Sequence, residues 1–90
     1  MASARISLLI TGRVHGVGFR SSTRYTARQY NLVGYVKNIP EGVEMVAEGP
    51  KEILETFVMW CKRGPSFSRV KDVHVSWELP TGEFSTFEIR

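Results

Sequence analysis

VGYVKNIPEGVEMVAE, residues 33–48, is the stretch of the chain that decides its fold. Its two halves, residues 33–38 and 43–48, have the apolar and β-branched composition of strands. Residues 39–42, Ile-Pro-Glu-Gly, join them, and proline followed by glycine is typical of a turn. The stretch therefore predicts a β-hairpin, in which two strands follow each other without a helix between them.

Helical patterns flank the hairpin on both sides. Before it, residues 19–30 place apolar and small side chains at helical spacing, and Asn31 is suited to a left-handed helix end. After it, Pro50 and Glu52 open a second helix, because proline fits the first helical position and an acid favours the helix dipole. Gly64-Pro65 ends that helix.

Three further strands complete the pattern. Residues 5–11 and 73–78 alternate apolar with polar positions, and Phe87 with Ile89 indicates a short last strand. The order is strand, helix, strand, strand, helix, strand, followed by a terminal strand. This order argues against an open parallel sheet, in which strands and helices alternate strictly.

We predict an α+β fold, a ferredoxin-like βαββαβ sandwich that occupies residues 1–90 as a single domain. Its antiparallel sheet would have a short extra C-terminal strand and two helices on one face, with the other face open to solvent. Glu44 and Glu48 share one strand face and are expected to form a solvated edge. Arg24 and Arg28 are expected on the solvated side of the first helix.

The composition is ordinary for a globular protein, since 42% of the 90 residues are apolar and 23% are charged. No apolar run approaches the roughly 20 residues that a membrane helix needs, and the start of the chain lacks a signal-peptide pattern. A single cysteine, Cys61, cannot form an internal disulfide and predicts a reducing, cytoplasmic location. The net charge of +3 suits an anionic substrate and weak nucleic-acid contact equally well.

The glycine-rich stretch GRVHGVGFR, residues 12–20, is the first candidate for chemistry. Glycines between a strand end and a helix start let successive N–H groups converge on one point, and the helix start adds a positive dipole end. Arg20 follows, and its planar fork can bond two oxygens of one phosphoryl group. The spacing leaves two interpretations open: a phosphate cradle, or an ordinary glycine-rich connection with a surface arginine. It matches neither the nucleotide P-loop nor the dinucleotide fingerprint.

Asn38 is a second polar residue of interest. It ends the first hairpin strand and lies beside the proline-glycine turn. On composition alone it is explained as a turn asparagine, because asparagine side chains hydrogen-bond to turn backbone.

Four segments together resemble the acylphosphatase family. They are VHGVGFR at residues 14–20, GYVKN at 34–38, EG at 41–42 and the closing FEIR at 87–90. Two signature motifs at the right separation, in a chain of the right length and element order, are far more specific than either motif alone. The resemblance covers nearly the whole chain.

The resemblance implies hydrolysis of the carboxyl–phosphate bond of acyl phosphates to a carboxylate and inorganic phosphate, without a metal or another cofactor. Arg20 corresponds to the catalytic arginine that binds phosphoryl oxygens, and Asn38 to the catalytic asparagine that orients the attacking water. A phosphate oxygen of the substrate would take the water's proton. The phosphate-binding loop would comprise His15, Gly16, Val17, Gly18, Phe19 and Arg20.

Three positions depart from the family pattern. His15 stands where the family usually has glutamine, and Glu41 where it usually has aspartate. Gly42 meets Val43 directly, whereas the family usually has one residue between them. We expect this deletion to be confined to the turn, because a slip of one residue would exchange the faces of the strand.

The main alternative is a non-catalytic ferredoxin-like module that binds anions or nucleic acid. RNA-recognition domains stack bases on aromatics of two central strands, but here residues 6–11 and 43–48 carry no aromatic residue and two acids. A regulatory piece of a larger carbamoyl-transfer enzyme is a third possibility. The expected partners are an acyl phosphate substrate and inorganic phosphate as product and inhibitor. Nucleic acid and membrane partners are not expected, and the chain is expected to be a monomer.

Overall fold

Five strands and two helices form a two-layer sandwich in the computed structural model, which describes residues 3–90. The strands lie side by side in the order β4-β1-β3-β2-β5. This is the predicted ferredoxin-like order with β5 added at one edge, so the fold class is confirmed. The elements are β1 (Ser3–Arg13), α1 (Phe19–Gln29), β2 (Val33–Ile39), β3 (Gly42–Pro50), α2 (Lys51–Arg63), β4 (Arg69–Glu78) and β5 (Phe87–Ile89).

The hairpin forms as predicted. Ile39 pairs with Gly42, so Pro40 and Glu41 make up the tip, and the antiparallel pairing continues without a break to Val33. The shorter turn is therefore absorbed at the tip, and β2 keeps its alternation of faces. Asn31, which follows α1, has the left-handed φ of 57° that was expected of it.

The first four strands form an antiparallel sheet, but β5 runs parallel to β2. The sheet is thus mixed rather than wholly antiparallel. The chain leaves β4 at one edge and reaches the other edge before β5 begins, and it enters there in the direction of β2. Among the described residues, no helix is long and apolar enough to cross a membrane.

The core lies between the sheet and the two helices. Ile6, Leu8 and Ile10 of β1 all point into it, as their alternation predicted, and Leu54 and Phe57 of α2 cover them. Each such side chain contributes roughly 1.5–3 kcal/mol when fully buried. Cys61 belongs to this core too, with its Sγ 3.8 Å from the Sδ of Met45.

The thiol of Cys61 has a structural role, as its place on the apolar stripe of α2 predicted. It is fully buried, and this burial raises its pKa well above the ordinary value. A thiol that stays protonated is a weak nucleophile, because the thiolate is the reactive form. The residue therefore behaves as a small apolar side chain.

The segment between β4 and β5, residues 79–86, crosses the sheet face opposite the helices, and we call it the crossing segment. The backbone N–H groups of Thr81 and Gly82 each donate to the carboxylate of Glu48 at 3.0 Å. Arg5 donates to the same carboxylate at 2.8 Å. The expectation of a solvated edge is therefore wrong for Glu48, which is 5% exposed, and this face is not fully open.

The contacts of Glu48 determine its charge state. Burial alone would raise its pKa, but the Thr81 N–H, the Arg5 guanidinium, the Gly82 N–H and the Thr81 hydroxyl outweigh that effect. Together they lower the pKa of Glu48 from 4.5 to about 2. The carboxylate therefore stays ionised under the crossing segment, and it stabilises the folded state only in that form.

Acid should weaken the contacts of Glu48 with Arg5 and the crossing segment. Because the folded-state pKa of Glu48 lies below the unfolded value, its contribution is complete above about pH 4.5 and is lost as the pH falls towards 2. We expect Glu48→Gln to lower the free energy of unfolding by about 2 kcal/mol near neutral pH, with the deficit shrinking in acid. Urea unfolding of both proteins across this range measures it.

Glu55→Gln is the matched control, since Glu55 is exposed on α2. It should change the free energy of unfolding by less than about 0.5 kcal/mol at every pH. Parallel stability curves for the wild type and Glu48→Gln would contradict a pH-dependent role for the Glu48 carboxylate.

Candidate active site

The loop that connects β1 to α1 is held at both ends by buried side chains. Val14 and Phe19 are 2% and 1% exposed, and both belong to the core. Between them His15, Gly16 and Gly18 are exposed. The apolar anchors fix the loop on the end of the sandwich, and its polar backbone faces solvent.

Two glycines give the loop its shape. Gly16 and Gly18 have φ angles of 70° and 74°, in the left-handed region that other residues adopt at a cost. A Cβ added at either position would meet no atom within 4 Å. Backbone conformation, rather than crowding, therefore requires glycine here, and the space above the loop is open.

The start of α1 offers free hydrogen-bond donors. Gly18 is its N-cap, no side chain caps it, and its first turn has no acid. Within residues 3–90, the N–H groups of residues 15–19 have no protein acceptor. Unpaired N–H groups and the positive end of a helix dipole together attract an oxyanion.

Arg20 lies in this first turn with its side chain exposed, and it makes no hydrogen bond or ion pair with another described residue. Arg28, two turns further along, differs. Its Nη2 donates to the carbonyl of Phe87 at 3.0 Å and ties α1 to β5. Arg28 is exposed, as expected of a solvated helix face, but its guanidinium is occupied by this contact, whereas the Arg20 guanidinium is free to bind a ligand.

His15 links the loop to the hairpin. Its Nε2 lies 2.6 Å from the carbonyl oxygen of Gly42, and because a carbonyl only accepts, this nitrogen carries the proton. Gly42 begins β3 next to the hairpin tip. His15 was expected to contribute its backbone N–H to the loop. Its side chain also holds the loop against the hairpin tip.

Asn38 lies on the other side of that tip. It is exposed and pairs with Val43, which in turn pairs with Ile10 of β1. Successive residues of a strand point to opposite faces, so Asn38 lies on the same face as the buried Val36, which is the helix-bearing face, and the half-buried Lys37 lies on the other. Neighbouring strands lie about 4.8 Å apart, so the backbones of Asn38 and Ile10 are roughly 10 Å apart. Asn38 and the glycine-rich loop therefore occupy the same end of the sandwich.

A groove of about 650 Å³ opens beside the glycine-rich loop. We call it the flanking groove. It is lined by Arg13, Gly16, Val17, Ser66, Phe67, Ser68 and Arg69. The sequence did not single out Arg13 or Arg69 as functional, because no local motif contains both. Only the pairing of β1 with β4 brings them together.

Known proteins of one family resemble this chain over nearly its whole length. Residues 6–89 match the family model for acylphosphatase. An acylphosphatase from Roseiflexus sp. is 47% identical over 90 residues, which are 99% of this chain and 97% of the relative. The crystal structure of the Bacillus subtilis acylphosphatase is similar with a TM-score of 0.90 and 37% identity, and 99% of each chain is covered.

A larger protein contains the same fold. A full-length HypF, in a phosphate- and nucleotide-bound form, matches with a TM-score of 0.90 and 32% identity. The match covers 99% of this chain but 12% of HypF. The fold therefore occurs both in small acylphosphatases and as a part of a longer polypeptide.

The hydrogen bond of His15 generates a prediction. His15→Ala removes the contact with Gly42 and should lower the free energy of unfolding by about 1 kcal/mol, the value of one ordinary hydrogen bond. His15→Gln should be as stable as the wild type, because its amide N–H₂ can still donate. Urea unfolding measures both. Equal destabilisation by Ala and Gln would rule out the hydrogen bond as the cause.

Proposed function

The chain belongs to the acylphosphatase family of enzymes, and we propose that Arg20, Asn38 and the loop amides of residues 15–19 form its catalytic site. Its function is the hydrolysis of acyl phosphates rather than non-catalytic binding. The observation that carries the proposed site is the uncapped start of α1, with unpaired N–H groups beside a free guanidinium.

Arg20 binds two of the phosphoryl oxygens in this proposal. Its planar fork suits a bidentate contact, and a lysine would supply only a point charge. The N–H groups of residues 15–19 hold the remaining oxygens of the phosphate. Because Arg20 follows the loop directly, both kinds of donor converge on one phosphoryl group. The donors are fixed before the substrate arrives, so they stabilise developing charge without reorganising.

Asn38 orients the water that attacks phosphorus. Its side-chain carbonyl oxygen accepts a hydrogen bond from the water, which turns the water's lone pair towards the phosphoryl group. Three observations support this role: Asn38 is exposed, it lies on the helix-bearing face, and the contact from His15 to Gly42 fixes the adjoining tip.

The proposed reaction is a single in-line displacement. The water oxygen forms a bond to phosphorus, and the bond from phosphorus to the acyl oxygen breaks with its electron pair leaving on the carboxylate. A phosphoryl oxygen takes the water's proton, so the products are a carboxylate and inorganic phosphate. A carboxylate is a good leaving group, and positioning with electrostatic stabilisation is therefore sufficient. The proposal includes no metal or other cofactor.

Two further features belong to the proposal. Inorganic phosphate, the product, competes with substrate for the same donors and inhibits the enzyme. The enzyme acts as a monomer, since the loop, Arg20 and Asn38 all come from one chain, and its single free thiol, Cys61, fits the reducing cytoplasm. Phosphate inhibition should disappear together with the donors that bind the phosphoryl group.

Substitutions at Arg20 and Asn38 test the proposed site. Arg20→Ala and Asn38→Ala should each lower kcat/KM for benzoyl phosphate about 100-fold or more, since one such contact is worth about 3 kcal/mol. Arg20→Lys should lose nearly as much, because it keeps the charge but not the fork. Hydrolysis is measured in the presence of a chelator, and circular dichroism verifies folding.

Arg24→Ala is the matched control. It removes the same charge one helical turn away, and Arg24 makes no side-chain hydrogen bond or ion pair with another described residue. It should retain more than about half of the activity. Equal losses for Arg20→Ala and Arg24→Ala would attribute the effect to net charge. A folded Arg20→Ala enzyme with wild-type turnover would overturn the proposed site.

A further inference from the structure

The flanking groove holds a pair of cations close to the glycine-rich loop. Arg13 at the end of β1 and Arg69 at the start of β4 are direct cross-strand partners. Both are exposed, and neither makes a side-chain hydrogen bond or ion pair in the described part of the chain. Like charges directly opposite each other destabilise a sheet, and no carboxylate lines the groove to offset them.

Backbone geometry holds the two arginines together. The pairing of β1 with β4 shifts by one residue between Thr11 and Gly12, as it does at a β-bulge. A Cβ at Gly12 would collide with the carbonyl oxygen of Arg69 and the amide nitrogen of Lys71. Bulges of this kind re-aim side chains next to active sites. The close approach at Gly12 thus fixes the backbone positions from which both arginines line the groove.

The other lining residues suit a short organic group. Val17 is half-buried against the core, and Phe67 presents an aromatic ring that is 82% exposed. Ser66 and Ser68 also line the groove, and the Ser68 hydroxyl donates to the carbonyl of Pro65 at 2.6 Å. An exposed aromatic ring next to hydroxyls and cations can contact a carbon skeleton while its polar end is bound elsewhere.

The groove and the proposed catalytic loop share Gly16 and Val17. A substrate whose phosphoryl group sits on the loop amides therefore extends its acyl end beside these two residues. From this shared wall the acyl group reaches Phe67 and the two arginines without crossing the core.

We propose that the flanking groove is the acyl-binding subsite, and that Arg13 and Arg69 select acyl phosphates whose acyl group carries a second anionic group. The carbon skeleton packs on Val17 and Phe67, and the distal carboxylate or phosphate binds between the two guanidinium groups. This inference rests on the proposed catalytic loop, since it uses that loop to place the phosphoryl group.

Two matched substrates test the subsite. Benzoyl phosphate and 4-carboxybenzoyl phosphate differ by one distal carboxylate, and each rate is divided by the uncatalysed hydrolysis rate of the same compound. We expect the wild type to favour the carboxylated substrate about tenfold in kcat/KM at physiological ionic strength. Arg13→Gln and Arg69→Gln should each reduce this preference about threefold, and the double variant should abolish it.

Lys51→Gln is the control for net charge, because Lys51 is exposed at the first residue of α2, at the end of that helix away from the flanking groove. It should keep the tenfold preference. Arg13→Lys and Arg69→Lys, which retain the charges, should keep most of it. If a glutamine variant fails to fold, Arg13→Met and Arg69→Met replace it, because they keep an aliphatic stem and lose the charge, and they should reduce the preference equally.

The outcomes separate the two proposals. Wild-type turnover of benzoyl phosphate without a preference for the carboxylated substrate would overturn the subsite and leave the catalytic site standing. A preference that survives in the folded double variant, or that Lys51→Gln lowers equally, would also overturn it. Failure of the wild type to hydrolyse either substrate would instead overturn the proposed catalytic site.

Discussion

The pairing of β1 with β3 is the constraint on which the rest of the structure depends. Because the two strands are antiparallel, the end of β1 lies beside the start of β3, with Ile10 opposite Val43. The glycine-rich loop leaves from one strand and the hairpin tip belongs to the other. The register thus brings the glycine-rich loop and Asn38 to the same end, and a slip of one residue would turn the core positions to the wrong face.

In the glycine-rich loop, some residues anchor the loop in the core and others form the proposed site. Val14 and Phe19 anchor it in the core, while its glycines leave the backbone N–H groups unpaired. Such unpaired donors would normally cost stability, but here they face open solvent, and a ligand can satisfy them. The proposed function therefore depends on backbone groups whose position is set by buried apolar side chains nearby.

Local patterns predicted most of the fold. The alternation in residues 5–11, the proline-glycine turn and the helical stripes each concern neighbours in sequence, and all three were confirmed. The features that local patterns missed depend on partners that are far apart in the sequence. Glu48 is buried because Arg5 and Thr81 reach it from 43 and 33 residues away. Likewise, Arg13 and Arg69 meet only through the register of β1 with β4.

The crossing segment has a consequence for how the sheet opens. It connects the two edge strands, β4 and β5, and its N–H groups bind the carboxylate of Glu48 in the central strand β3, which Arg5 of β1 also binds. One carboxylate therefore couples both edges of the sheet to its centre. We expect the edges to open together with the centre rather than to fray separately.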